Sequence, residues 1–326
     1  MCLYPRLIQN PKYKKNKKNG GQVPPVFDMR QTLVPIGCQK CKECRKQKAN
    51  GWKVRLMEDI KTNTNGVFVT LTMSDESYAK LMHEVLKDSK PTAYDLDNAI
   101  AKKGTRLFLE RWRKKYKTSI RHWLITELGH KGTENIHIHG IIWTDNKTEI
   151  AKIWGYGFVY LGKWVNEKTV NYMVKYVNKV DPQHKHYIPI ILTTAGIGNN
   201  YTKREEAKSN KYKEEETKET YRLRNGANIA MPNYYRNKIY TEREREELWL
   251  YKLNKQERWI NGIRIDISNG EEEYNEALKY AQEENKRLGY GGINETWEEE
   301  QYERERRMIK QQERIINKKK KKKNNK

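Results

Sequence analysis

The stretch Ile136-His137-Ile138-His139-Gly140-Ile141-Ile142-Trp143 decides how the rest of the chain is read. Successive side chains of a strand point to opposite faces, so His137 and His139 share one face while Ile136 and Ile138 share the other, toward a core. Upstream, Trp123-Leu124-Ile125-Thr126-Glu127 is another apolar, β-branched run. The polar segment 129–135 between the two reads as a loop. The pair is therefore expected as an antiparallel hairpin, with Glu127 on one arm and the histidines on the other. Val67-Phe68-Val69-Thr70-Leu71-Thr72 adds a third, alternating strand and residues 157–161 a short fourth. Residues 77–87 and 95–115 show helical spacing. Asn166 is placed to cap a helix running to about residue 180, whose Val170, Met173, Val174 and Val177 form an inward stripe. The expected fold class is α+β, an antiparallel sheet flanked by helices.

Composition narrows the partner. The net charge of +24, from 66 Lys+Arg against 42 Asp+Glu, points to a polyanion. The 21 Tyr and 9 Trp far outnumber the 4 Phe, and rings with a polar edge suit wet surfaces on which bases stack. No run is long and apolar enough to span a bilayer, and Met1-Cys2-Leu3-Tyr4-Pro5-Arg6 lacks the apolar centre of a signal peptide. A soluble cytoplasmic protein without a membrane partner is expected.

Four segments are expected along the chain. Residues 1–50 form a basic arm containing the cysteines, 51–240 the main domain, 241–317 a charged helical extension, and 318–326 a disordered lysine tail. Within the main domain, the charge-dense segment 203–218 reads as an exposed insertion.

The residue types in these patterns carry specific chemistry. Two imidazoles on one strand face, with a carboxylate across a hairpin, make an N,N,O platform for a divalent ion such as Mg²⁺ or Mn²⁺ beside a phosphate. Burying both histidines without such a role requires two separate sets of polar partners. Glu127 is the expected carboxylate, with Glu134 and Asp145 as competitors. In Tyr172-Met173-Val174-Lys175-Tyr176 the tyrosines are four apart, so a helix presents both phenols on one side. Such a pair can merely pack, but it straddles Lys175 and is followed by Lys179. A phenol needs a nearby cation to act as a nucleophile, and Lys175 is the residue expected to supply one. Cys38, Cys41 and Cys44 have the C-x-x-C-x-x-C spacing of metal-binding or reduced thiols, and a four-coordinate Zn²⁺ site would need Cys2 or a distant histidine. Residues 157–163 fit G-x-x-x-x-G-K, but Trp164 stands where Ser or Thr holds Mg²⁺, so neither a P-loop nor ATPase activity is expected.

Taken in order, the 67–72 strand, the His137-Ile138-His139 strand and the Tyr172-x-x-x-Tyr176 helix resemble the three rolling-circle-replication motifs of HUH endonucleases. The closest resemblance is to the replication initiators of gokushovirus-like microviruses. Thr126-Glu127-Leu128-Gly129, the Gly196-Ile197-Gly198 turn and the cysteine segment followed by Trp52 also fit. The resemblance implies that a tyrosine attacks single-stranded origin DNA, forming a 5′-phosphotyrosine link and freeing a 3′-OH. Tyr172 and Tyr176 would alternate between cleavage and ligation. It further implies host polymerase and helicase as partners, in the cytoplasm of a host bacterium. The chain departs from the pattern at Glu134-Asn135, where Arg-Pro is expected, and at Ile36, where a cysteine is usual. Competing readings are a non-catalytic single-strand-binding protein, an HUH relaxase or transposase, and, on the cysteines alone, a zinc-finger transcription factor.

Overall fold

The computed structural model describes residues 1–132, 134–292 and 297–324, with the side chains of Trp297 and of residues 317–324 left out. The chain divides into two compact units, each discontinuous in sequence: Met1–Gly51 with Thr202–Glu295, and Trp52–Tyr201 with Thr296–Lys326.

In the first unit, β1 (Arg6–Gln9) and β2 (Leu33–Ile36) pair antiparallel, Arg6 opposite Ile36. Helix α1 (Lys42–Thr62) begins here and continues into the second unit.

The second unit carries the sheet. Its strands are β3 (Gly66–Leu71), β4 (Arg121–Leu128), β5 (Ile136–Trp143), β6 (Val159–Leu161) and β7 (Ile191–Thr193), in the order β6-β3-β5-β4-β7 with every neighbour antiparallel. One face presents Val67, Val69, Leu71, Leu124, Leu128, Ile136, Ile138 and Ile142. It forms a core with α2 (Asp75–Asp88), α3 (Ala93–Tyr116) and α4 (Glu149–Trp154) through Tyr78, Leu81, Ile100, Phe108 and Trp154. The opposite face carries Phe68, Thr70, Trp123, Ile125, Glu127, His137 and His139, by the register that sets Thr70 and Ile125 beside His139 and Glu127 beside His137. Helix α5 (Glu167–Asn178) belongs to this side. Its start is fixed by the reciprocal Asn166–Thr169 capping box, and Val170, Met173, Val174 and Val177 are its buried residues, the stripe expected from spacing. The edge strand β6 occupies the middle of the G-x-x-x-x-G-K segment, which is extended rather than a phosphate loop. The Gly196-Ile197-Gly198 turn is anchored by Asp59 of α1, whose Oδ1 accepts from the Gly198 amide at 2.8 Å.

The remainder of the first unit comprises β8 (Thr220–Arg222), β9 (Asn228–Ala230), α6 (Asn233–Ile239), α7 (Glu242–Asn254), β10 (Glu257–Ile260), β11 (Ile263–Asp266) and α8 (Glu272–Arg287). Two expectations change here. Segment 203–218 contains a short 3₁₀ turn with Ala207 and Asn210 buried, and the Asn210 amide donates to the carbonyls of Lys218 and Thr220. The region after residue 241 is not helical throughout, because β10 and β11 form a hairpin around Asn261-Gly262.

The last helix, α9 (Trp297–Asn324), belongs to the second unit, and its helical backbone includes the lysine run expected as a tail. Polar groups dock it. Arg307, 2% exposed, donates to both oxygens of fully buried Asp97 at 2.7 and 2.9 Å and to Glu134 Oε2 at 3.3 Å. Arg314 lies over the Tyr78 ring, 3.9 Å from its centroid, and donates to Asp75 Oδ1. The Glu303 carboxylate accepts the amides of Lys185 and His186. Among the described residues, no helix is long and apolar enough to cross a membrane.

Candidate nucleophile and metal centre

The central strand places two imidazoles on the face under α5, and the antiparallel register sets Glu127 directly opposite His137. One donor atom from each of Glu127, His137 and His139 lies within 4.8 Å of the others. Glu134 and Asp145, the competing carboxylates, have other partners. Glu134 meets Arg307 and His184, and Asp145 accepts from Asn65 at 3.2 Å.

His139 is held at one nitrogen and open at the other. Its Nδ1 is 3.0 Å from Thr70 Oγ1 on the neighbouring strand. Its Nε2 is buried and 3.0 Å from Glu127 Oε2, without the alignment of a hydrogen bond and with no hydrogen-bond partner among the described residues. A buried ring nitrogen is seldom left without a partner. The donor set of two imidazoles and a carboxylate fits a divalent ion, and a hydroxyl behind Nδ1 is the outer contact that orients a ligating histidine. Burial, followed by the neighbouring His139, holds the pKa of His137 below its usual value. The ring therefore stays neutral, the form in which imidazole binds metals.

The two tyrosines come from one face of α5 and meet this cluster. The Tyr176 ring stacks on the His139 ring, centroids 4.9 Å apart and 5° from parallel. Its hydroxyl donates to the Tyr172 hydroxyl at 2.5 Å. Tyr172 is 49% exposed and packs edge-on against Phe68 of β3 at 6.1 Å. Burial raises the pKa of Tyr176, with further contributions from the Tyr172 hydrogen bond and the Glu127 charge, so its phenol is protonated near neutral pH. Activating it requires positive charge at the spot where Glu127 now acts against ionisation.

The lysines divide differently from the sequence expectation. Lys175 is exposed on the last turn of α5. The ammonium near the cluster belongs to Lys179, which lies 3.8 Å from Glu127 Oε1. Each tyrosine has a lysine three residues on, one helical turn away, and this repeat in 172–179 is the sequence signal for Lys179. Thr70 and Phe68 are not singled out by the sequence motifs, although strand alternation puts them on the histidine face. The exposed rings of Tyr160 and Trp164 lie in and just beyond β6, and Tyr160 packs edge-on against Phe68 at 6.3 Å. Cys38, Cys41 and Cys44 lie in the other unit, as one cluster with Cys2.

No curated protein and no solved structure gives a significant match to the chain. Residues 66–181 match the family model of the replication-associated protein ORF2, a span that contains Glu127, both histidines and both tyrosines. The match supports a replication initiator that binds origin DNA.

Proposed function

We propose that the protein is a rolling-circle replication initiator of the HUH type, a nicking and strand-transfer enzyme acting on single-stranded origin DNA. The observation that carries the reading is the convergence of His137, His139, Glu127 and the two hydrogen-bonded phenols of α5 on one sheet face. The family match over 66–181 supports the replication role. The microvirus affinity rests on the sequence resemblance, as do the host polymerase and helicase partners and the bacterial cytoplasm.

The chemistry follows from the groups present. A phenol oxygen of Tyr172 or Tyr176 attacks phosphorus, the bond from phosphorus to the 3′ oxygen breaks, and a 5′-phosphotyrosine link forms. The phenolic proton leaves, and the departing 3′ oxygen takes up a proton to become the 3′-OH that primes synthesis. Glu127, His137 and His139 would hold Mg²⁺ or Mn²⁺, whose charge offsets that of the scissile phosphate and favours the phenolate. Thr70 fixes the His139 ring. Lys179, with Lys175 one turn earlier, adds positive charge beside the phenols. Stacking of Tyr176 on His139 holds its oxygen in place, lowering the entropic cost of attack. The second tyrosine can accept the strand returned after a round of synthesis, so the pair serves successive transfers. Tyr160 and Trp164 offer faces on which unpaired bases stack.

The test is cleavage of circular single-stranded DNA carrying the origin. Linear product is expected with Mn²⁺ or Mg²⁺, and none with EDTA or with His137→Ala/His139→Ala. DNA that is bound tightly in every condition and never cut would instead establish a stacking-and-charge binding protein.

A further inference from the structure

The first unit contains a second cluster of metal-ligating atoms. The Sγ atoms of Cys2, Cys38, Cys41 and Cys44 all lie within 4.8 Å of one another, and all four thiols are free. The separations are 4.0 Å for Cys2–Cys41 and 4.0 Å for Cys38–Cys44. Four sulfurs about 2.3 Å from one zinc ion stand about 3.8 Å apart along the edges of a tetrahedron. The fourth sulfur belongs to Cys2, which the β1–β2 ladder brings back to the cysteine segment, since Arg6 pairs with Ile36 just before Gly37-Cys38.

The surroundings suit thiolates. The amides of Cys38 and Tyr4 donate to Cys2 Sγ at 3.2 and 3.3 Å. Those of Cys41 and Cys44 donate to the sulfurs of Cys38 and Cys41 at 3.3 and 3.5 Å. Such amides stabilise negative sulfur and fix the direction of its lone pairs. Cys41 immediately precedes α1 and Cys44 sits in its first turn, the positive end of the helix dipole. The backbone accommodates the cluster closely: a Cβ on Gly37 would stand 2.9 Å from Cys44 Sγ. Leu3, Ile260 and Ala281, each at most 5% exposed, pack around the sulfurs. The Met1 ammonium meets Glu43 Oε2 at 3.6 Å, holding the terminus beside the cluster.

We propose that Cys2, Cys38, Cys41 and Cys44 bind one structural Zn²⁺ ion that fastens the N-terminal strand to the start of α1. All four positions are filled by protein, as in a closed structural site, so this ion has no open place for substrate or water. The sulfurs would lose their protons on binding, and the energy of binding would go into folding the arm, whose own strands are short and exposed. This site is independent of the histidine cluster.

The experiment is elemental analysis of the full-length protein after gel filtration, in the native chain, in Cys2→Ser and in His137→Ala/His139→Ala. About one zinc per chain is expected in the first and third. In Cys2→Ser a loss of zinc, or at least a tenfold weaker affinity, is expected. Because Cys2→Ser can misfold, iodoacetamide labelling of the native chain gives a second readout. All four thiols should resist labelling together and become reactive together when a strong chelator removes the metal. Several results would overturn the proposal: no zinc, zinc that disappears with the histidines, iron in its place, unchanged affinity in Cys2→Ser, Cys2 labelled while the others stay protected, or labelling that requires a reductant.

Discussion

Replacing Thr70 with valine tests how the sheet prepares His139. Valine keeps the shape and β-branching that suit the strand but removes the oxygen 3.0 Å from His139 Nδ1. With Nε2 directed at the metal, Nδ1 carries the proton and donates it to Thr70 Oγ1. Without that acceptor the buried Nδ1–H has no partner and the tautomer that frees Nε2 loses its support. Loss of such an outer contact weakens metal binding by about 10–100-fold, or about 1.4–2.7 kcal/mol. The assay is calorimetric titration of the metal-free protein with Mn²⁺, alongside DNA cleavage as a function of Mn²⁺ concentration. Half-saturation should shift by the same factor in both, while the rate at saturating metal recovers toward that of the native chain. Thr70→Ser, which keeps the hydroxyl, should leave both close to native. Unchanged Mn²⁺ affinity in Thr70→Val would refute the reasoning, as would a rate that stays low at saturating metal despite unchanged affinity.

Other consequences are equally direct. Arg307→Ala leaves buried Asp97 without its bidentate partner, and breaking a buried ion pair from one side costs about 3–5 kcal/mol. Its denaturant midpoint should fall accordingly, and a loss below about 1 kcal/mol would contradict the docking described for α9. Trp164→Ala removes a ring that is 78% exposed, so melting should not change while single-strand affinity falls by about 1–3 kcal/mol; equal affinity would remove this ring from the DNA path. Burial lowers the pKa of His122, His137 and His184 below the usual 6.5. The unfolded chain therefore takes up these protons first as pH falls below 6.5, and stability is lost through that window. The denaturant midpoint of metal-free protein should be lower at about pH 5.5 than at about pH 7.5, above the main carboxylate range, and an equal or higher midpoint would contradict it.

Much of the second unit is legible in the sequence because its pattern is hydrophobic. Alternation in 67–72, 123–127 and 136–143 marks the central strands, and the Val170-Met173-Val174-Val177 stripe marks the buried side of α5. The facing of Glu127 is undecided in sequence because it depends on register, which the structure sets opposite His137. Helix α9 departs from the solvated extension expected of it. Its buried positions are Glu303, Arg307, Gln311 and Arg314, a helical periodicity written in polar residues that pair only after the chain returns to Asp97, Ala93 and Asp75. Its anchor Glu134, with φ of 52°, stands where the resemblance expects Arg-Pro, so that departure supplies the carboxylate that Arg307 meets. The β10–β11 hairpin escapes the sequence reading despite a visible signal. Asn261 and Gly262 both have positive φ, 52° and 90°, as a two-residue hairpin loop demands, but the surrounding charge obscures the short apolar runs.

The most direct test of the central claim is a denaturing gel of protein incubated with labelled single-stranded origin DNA and Mn²⁺. It would compare the native chain with Tyr172→Phe, Tyr176→Phe and the double variant. A covalent protein–DNA band that requires the metal, survives in at least one single variant and vanishes in the double variant is predicted, with the 5′-phosphate mapped to a tyrosine of α5. A band that persists in the double variant, or cleavage with no covalent product at all, would contradict the account.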